Sequence, residues 1–164
     1  MKEDMELIGD HLKTLVSRHL GPIEWDPAGE LLLPFGFPGF EGERRMVAVE
    51  IPTQRPLVFL QSAEKPEMCF VSLPVLAIKP DYELLLNEED RSALRIEDES
   101  SAEIGVDLLC LALLFPAEGG LQANLGAPIL INLHNLRCVQ SEGNEQGPRY
   151  YRLGSVGGWE PVCW

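Results

Sequence analysis

Apolar residues in this chain fall in short blocks separated by turn-forming residues. Leu31-Leu32-Leu33, Arg45 to Ile51, Leu57 to Gln61, Met68 to Leu73, Val106 to Phe115 and Ile129 to Leu133 are runs bounded by proline, glycine or acidic turns, the pattern of buried or half-buried strands. Met5, Ile8, Leu12, Leu15, Val16 and His19 instead recur at helical spacing. They predict an amphipathic helix from about Lys2, its last turn open to a strand reading, that ends at Gly21-Pro22. One internal helix is expected where Asn87 can cap and Glu88, Glu89 and Asp90 suit a first turn, with Leu94 as its inward contact before Arg95. Between Leu33 and Phe40, Gly36, Pro38 and Gly39 force an irregular turn in which Phe35, Phe37 and Phe40 supply apolar mass. Glu142 to Pro148 reads as a polar loop.

So many strands with so little helix between them leave no room for parallel crossovers. The predicted fold is mainly β, a small antiparallel β-barrel-like single domain with one short internal helix and an amino-terminal helical extension. Its expected parts are an extension over 1–12, a barrel domain over 13–153 and a flexible tail over 154–164. No internal repeat is visible.

Length and composition agree with one soluble domain. A chain of 164 residues with 45% hydrophobic positions buries roughly two thirds of its unfolded surface on folding. The amino terminus has acids at Glu3, Asp4 and Glu6 and no apolar stretch of signal-peptide length, and Leu108 to Phe115 is too short to span a bilayer. A cytoplasmic protein is expected. The four cysteines, Cys69, Cys110, Cys138 and Cys163, never form a C-x-x-C pair, so reduced thiols are expected, with Cys163 the most open to oxidation.

Charge changes the picture more. The formal net charge is -13, and from Asp81 to Asp107 ten carboxylates face only Arg91 and Arg95. Such a field repels phosphate backbones and attracts basic proteins, or else serves solubility. Direct nucleic-acid binding is therefore not expected.

Catalytic chemistry finds little footing. His11, His19 and His134 have no metal-ligand spacing, and the chain has neither G-x-S-x-G nor a P-loop. Gly36-Phe37-Pro38-Gly39 makes a poor phosphate cradle, because proline contributes no N–H. No cofactor, metal or enzymatic activity is expected. The informative positions are of another kind: Asn124 and Asn132 bracket Pro128 at what reads as a loop entering a buried strand, and their amides can cap that loop or meet a partner's backbone. Tyr82 is suited equally to an interface and to a strand-end core.

Six segments in order carry a resemblance: Leu33-Pro34-Phe35-Gly36-Phe37-Pro38-Gly39-Phe40, Phe59-Leu60-Gln61-Ser62, Cys69-Phe70-Val71, Lys79-Pro80-Asp81-Tyr82-Glu83, the short acidic helix, and Asn124 to Asn132 followed by Gln140. Together, over roughly Arg18 to Gln140, they resemble the flagellar assembly factor FliW family. The resemblance implies a small β-barrel protein without enzymatic activity, expected to be monomeric and to act away from membranes. Its implied partners are the translational regulator CsrA, whose RNA binding it would antagonise, and flagellin, coupling flagellin synthesis to secretion. The candidate partner-binding residues are Asp81, Tyr82, Glu83, Glu88, Glu89, Asp90, Asn124, Pro128 and Asn132. The segments before about Leu12 and after Leu153 look like additions to the family pattern. Ser141-Glu142-Gly143 departs from it where an apolar strand would continue.

A second reading is a small-molecule-binding or catalytic β-barrel with a site built from scattered residues. The barrel interior discriminates. Leu, Val, Ile and Phe would fill a binding scaffold, whereas a ligand barrel needs a cavity with convergent polar groups.

Overall fold

The computed structural model describes residues 11–98, 100, 102–118, 120–142, 148–153 and 159–162. Lys13–Ser17 (β1) and Gly21–Trp25 (β2) form a separate antiparallel hairpin. The main sheet contains Leu31–Leu32 (β3), Arg45–Val49 (β4), Val58–Ser62 (β5), Cys69–Pro74 (β6), Leu108–Ala117 (β7), Gly120–Asn132 (β8), Cys138–Gln140 (β9), Tyr150–Leu153 (β10) and Trp159–Val162 (β11). Its order is β11-β10-β8-β7-β6-β5-β4-β3, with β9 also on β8. Every strand pairing is antiparallel. At the seam Leu32 bridges Arg137 in the parallel sense, and the Leu32 amide donates to the Leu136 carbonyl at 2.9 Å. The sheet from β3 to β9 thus nearly closes into a barrel.

Period-two alternation sorts the side chains of β7 and β8 into two cores. Leu111, Ile129 and Ile131 join Leu33, Met46, Leu60 and Phe37 inside the barrel. Leu108, Cys110, Ala112 and Leu130 face outward under Val75–Ile78 (α1), a single turn after β6, and Glu88–Leu94 (α2). Burial on both faces explains the unbroken apolar run that the sequence presents there. It also pushes the Cys110 thiol up to about 12. The interior discriminator therefore falls on the side of a filled barrel.

Three expectations change. Residues 13–17 are strand, the reading left open for the last turn, and of the predicted amino-terminal helix residues 1–10 lie outside the described residues. Helical spacing was misleading because this hairpin is held by distant groups: Ser17 Oγ donates to Gln61 Oε1 at 2.6 Å, and Lys13 Nζ reaches Glu30 at 2.9 Å. Of the expected tail, Trp159–Val162 pairs with β10 as an edge strand, while 154–158 and 163–164, including Cys163, lie outside the described residues. Among the three turn phenylalanines only Phe37 is buried.

Two buried glutamates tie the hairpin and turns to the sheet. Glu30 accepts from Lys13 Nζ, Trp25 Nε1 and Arg45, while Glu43 accepts from Lys65 Nζ at 2.7 Å and Ser62 Oγ at 2.9 Å. Burial pushes the Glu30 carboxyl up, but its hydrogen bonds together outweigh this and hold it below the usual carboxylate range. The Lys65 contact, with Ser62, holds Glu43 below that range as well.

A carboxyl with a depressed folded pKa stabilises above its unfolded pKa, and that stability is lost as pH falls through the folded value. Thermal melts should therefore show stability declining as pH drops below about 4.5, and Glu43→Gln should flatten part of that decline. Gly36 has φ +65°, and a Cβ there would lie 2.5 Å from the Phe40 carbonyl oxygen. Gly36→Ala should cost about 1–3 kcal/mol in urea unfolding, whereas Gly42→Ala, with open space at its Cβ, should melt near wild type.

Candidate functional site

Register between β7 and β8 breaks once. Leu111 pairs with Ile129 and Leu113 with Asn124, so residues 125–128 bulge from the ladder. Four residues hold that bulge. Asn124 Oδ1 accepts from the Gly126 and Ala127 amides at 3.1 and 3.2 Å, and Tyr82 Oη donates to the Leu125 carbonyl at 2.7 Å. Gln140 Nε2 donates to the Ala127 carbonyl, and the Leu125 amide to the Arg149 carbonyl. Pro128, also buried, accepts from the Ser141 amide. The predicted loop entering a strand is thus a buried bulge within one long strand, and Tyr82, Asn124 and Pro128 converge on it. Burial pushes the Tyr82 phenol well above its ordinary value, in keeping with a neutral donor.

Asn132 belongs to a second cluster, at the carboxy-terminal end of α2. Its Nδ2 and that of Asn135 donate to the Leu94 carbonyl at 2.9 and 3.0 Å, and Arg137 Nε donates to the Ala93 carbonyl. Arg95 ends the helix at φ 56°, with the Ile96 amide donating to the Arg91 carbonyl and the Arg95 amide to that of Ser92, a Schellman cap. Asn132 Oδ1 also accepts from the His134 amide. His134 Nε2 lies 2.8 Å from Asp107, and that contact holds the Asp107 carboxyl below its ordinary value.

The remaining candidates are acids. Asp81 is exposed and bonded to Lys79 Nζ at 3.0 Å, which lowers its carboxyl pKa; Glu83, Glu88 and Glu89 are exposed. Asp90 differs. Helical spacing places it with Ala93 and Leu94 on the inner face of α2, where it is only 7% exposed. Its amide donates to Asn87 Oδ1 at 2.7 Å, the expected cap, while its Oδ2 has no hydrogen-bond partner. Burial pushes its carboxyl up, a hydrogen bond with Ser141 pulls it back, and Glu89 and Glu142 push it further up.

An open groove of about 370 Å³ runs between the Phe35–Glu41 turn and the start of α2. Phe35, Gly36 and Glu41 form one wall and Glu89 and Asp90 the other, with Gln140 and Glu142 at the end. Phe35 is 50% exposed, and Phe40, 42% exposed, packs its ring edge against Phe70 at 5.4 Å. Glu89 and Asp90 are thereby brought together with a turn that was not among the candidates. Phe35 was read as apolar mass of its turn, and nothing in the sequence around Glu41 and Glu142 places them beside the start of α2. The available signal for Phe35 was the number of turn phenylalanines, since a turn of this length cannot bury three rings.

Among the described residues no group of three or more His, Cys, Asp or Glu side chains is placed to hold a metal, and no helix is long and apolar enough to cross a membrane.

Comparison with known proteins points one way. The family model described as FliW protein matches residues 14–148. The chain is 33% identical over 124 residues to a flagellar assembly factor FliW of Caldicellulosiruptor bescii, covering 76% of this chain and 78% of the relative. It is 28% identical over 125 residues to flagellar assembly factor FliW 2 of Desulfotalea psychrophila, covering 76% and 80%. A crystal structure of the flagellar assembly factor FliW superposes with a TM-score of 0.70 at 26% identity, covering 84% of this chain and 92% of that one.

Removing the Tyr82 hydroxyl leaves the buried Leu125 carbonyl short of its donor, and removing the Asn124 amide leaves the Gly126 and Ala127 N–H groups short of their acceptor. Tyr82→Phe and Asn124→Ala should each lower stability by about 1–3 kcal/mol in chemical denaturation. Retained stability in both would show that the bulge does not need these bonds.

Proposed function

The chain belongs to the FliW family of flagellar assembly factors, and from that premise we propose that it binds the regulator CsrA and flagellin in turn. It does so as a cytoplasmic monomer without enzymatic activity and without contacting nucleic acid. CsrA held in this way is withdrawn from RNA, and flagellin that accumulates displaces it, so secretion sets the rate of flagellin synthesis. Such a switch requires the two complexes to exclude one another.

The observation that carries this reading is the open groove in which exposed Phe35 stands beside Glu41, Glu89 and Glu142. An apolar ring among carboxylates fits a basic protein surface, the kind of surface an RNA-binding regulator carries. Asp81, Glu83 and Glu88 are exposed as well and extend the acidic field. Tyr82, Asn124, Pro128 and Asn132 enter the proposal as supports of the bulge and of α2, upholding the groove from behind.

Exposed acids steer encounter more than they hold a complex. Glu88→Lys with Glu89→Lys should slow CsrA association at low salt and weaken its salt dependence, with little change in melting temperature. Glu88→Gln with Glu89→Gln separates lost attraction from added repulsion. Unchanged association rates in both variants would return these acids to a role in solubility. Competition is read by adding excess flagellin to a preformed complex with CsrA on size-exclusion chromatography. Released CsrA is the expected result, and a stable three-component peak would defeat mutual exclusion.

A further inference from the structure

Among the described residues three carboxylates are more than nine-tenths buried: Glu30, Glu43 and Asp90. The first two each hold a cation, Lys13 with Arg45 and Lys65 respectively. Asp90 has none, and its Oδ2 is without a hydrogen-bond partner although the residue forms part of the groove wall. A buried carboxylate oxygen left unpaired costs stability. Asp90 lines an open space bounded by Glu41, Glu89 and Glu142, with the half-exposed ring of Phe35 on the opposite wall, while its Oδ2 is turned away from solvent and its carboxylate is hydrogen-bonded with Ser141.

We propose that this groove is a receptor for one arginine side chain of a protein partner, whose guanidinium pairs with Asp90 and stacks on Phe35. Arginine suits the site better than lysine. Its planar fork can donate to a carboxylate and to a second acceptor at once, and its face packs on an aromatic ring. The aspartate χ2 torsion is broad, so a small rotation presents either oxygen. Gln140 is held by its bond to the Ala127 carbonyl, and the Gly36 turn by the Gly36 amide's bond to the Leu33 carbonyl and the Phe40 amide's bond to the Phe37 carbonyl, so the groove is built before the ligand arrives. The inference rests on the partner-binding function above and names what that surface recognises.

The test uses the full chain labelled with ¹⁵N and the capped tripeptide Gly-Arg-Gly, with Gly-Lys-Gly and calcium chloride as parallel titrants. Saturable shifts of the Gly36, Asp90 and Gln140 amides are expected with the arginine peptide, at least threefold weaker with lysine, and lost in Asp90→Asn. Asp90→Asn keeps the shape of the side chain and should melt no lower than wild type. Should it melt far lower, Phe35→Ala, at a half-exposed position, takes its place with the same expected loss. No saturable shift in wild type, equal shifts in the variant, or the same amides saturating with calcium alone would overturn the proposal. CsrA and flagellin binding is then measured on both proteins, and at least one partner should bind Asp90→Asn tenfold or more weakly. If both bind the variant as tightly as wild type, the arginine receptor falls and the family function stands. If neither binds wild type, the family function falls and the peptide titration alone decides the receptor.

Discussion

The break in β8 is the constraint on which the rest of the structure depends. A thirteen-residue strand cannot pair along one straight line and also wrap a small barrel. The bulge at 125–128 divides it: residues 129–131 pair with β9 inside the barrel wall, and 122–124 pair with β10 beyond it. Four residues of β8 against one of β7 bring backbone groups with no partner in that ladder, and each such group needs a bond or costs stability. Asn124, Tyr82, Gln140 and the Arg149 carbonyl supply those bonds. They come from four places in the chain, so the bulge fixes the segment around Tyr82, the end of β9 and the start of β10 together.

From that fixed point follows α2. Seven residues are too few for a helix to hold itself in water, and this one is held at both ends. Asn87 caps its start, while its end carries a Schellman cap and three side-chain donors from the β8–β9 turn and the seam beside it. Those donors come from the residues where the barrel closes, between Asn132 and Arg137. Closure and helix placement are therefore one event, and the wall of the groove that contains Glu89 and Asp90 is as rigid as the seam. The opposite wall is tied by backbone hydrogen bonds from the Gly36 amide to the Leu33 carbonyl and from the Phe40 amide to the Phe37 carbonyl, in a turn whose path leaves no room for a side chain at Gly36. A groove with two fixed walls loses little entropy when occupied.

Most of the barrel was legible because strand burial is a local pattern. The runs from Arg45 to Ile51, Leu57 to Gln61 and Met68 to Leu73 contain β4, β5 and β6 with small changes at their ends. Asn87 as a cap was legible for the same reason, since its bond spans three residues. What could not be read depended on distant partners. Leu12, Leu15 and Val16 have the spacing of a helix face, yet Ser17 and Lys13 find their bonds at Gln61 and Glu30 and draw the segment into a hairpin. The amides of Asn124 and Asn132 could serve a partner or the fold, and only the positions of the bulge and of Leu94 decide where their bonds go. Asp90 was grouped with Glu88 and Glu89 by charge, although its spacing from Ala93 and Leu94 already put it on the inner face.

That separation of Asp90 from its neighbours matters because the fold treats its buried acids unequally. Glu30 and Glu43 tie loops to the sheet, each carboxylate with a lysine and a neutral donor, and their pKa values fall despite burial. Removing a partner from such a pair would leave an uncompensated charge, which is why both are embedded in networks rather than single bonds. Asp90 has the burial without the cation, and its carboxyl rises instead. The acid serves the fold in part, through its hydrogen bond with the buried Ser141 and its place in the first turn of α2, where a negative charge is favoured. Neither role gives its Oδ2 a partner, and the proposed guanidinium in the groove between α2 and the Phe35 turn would supply one.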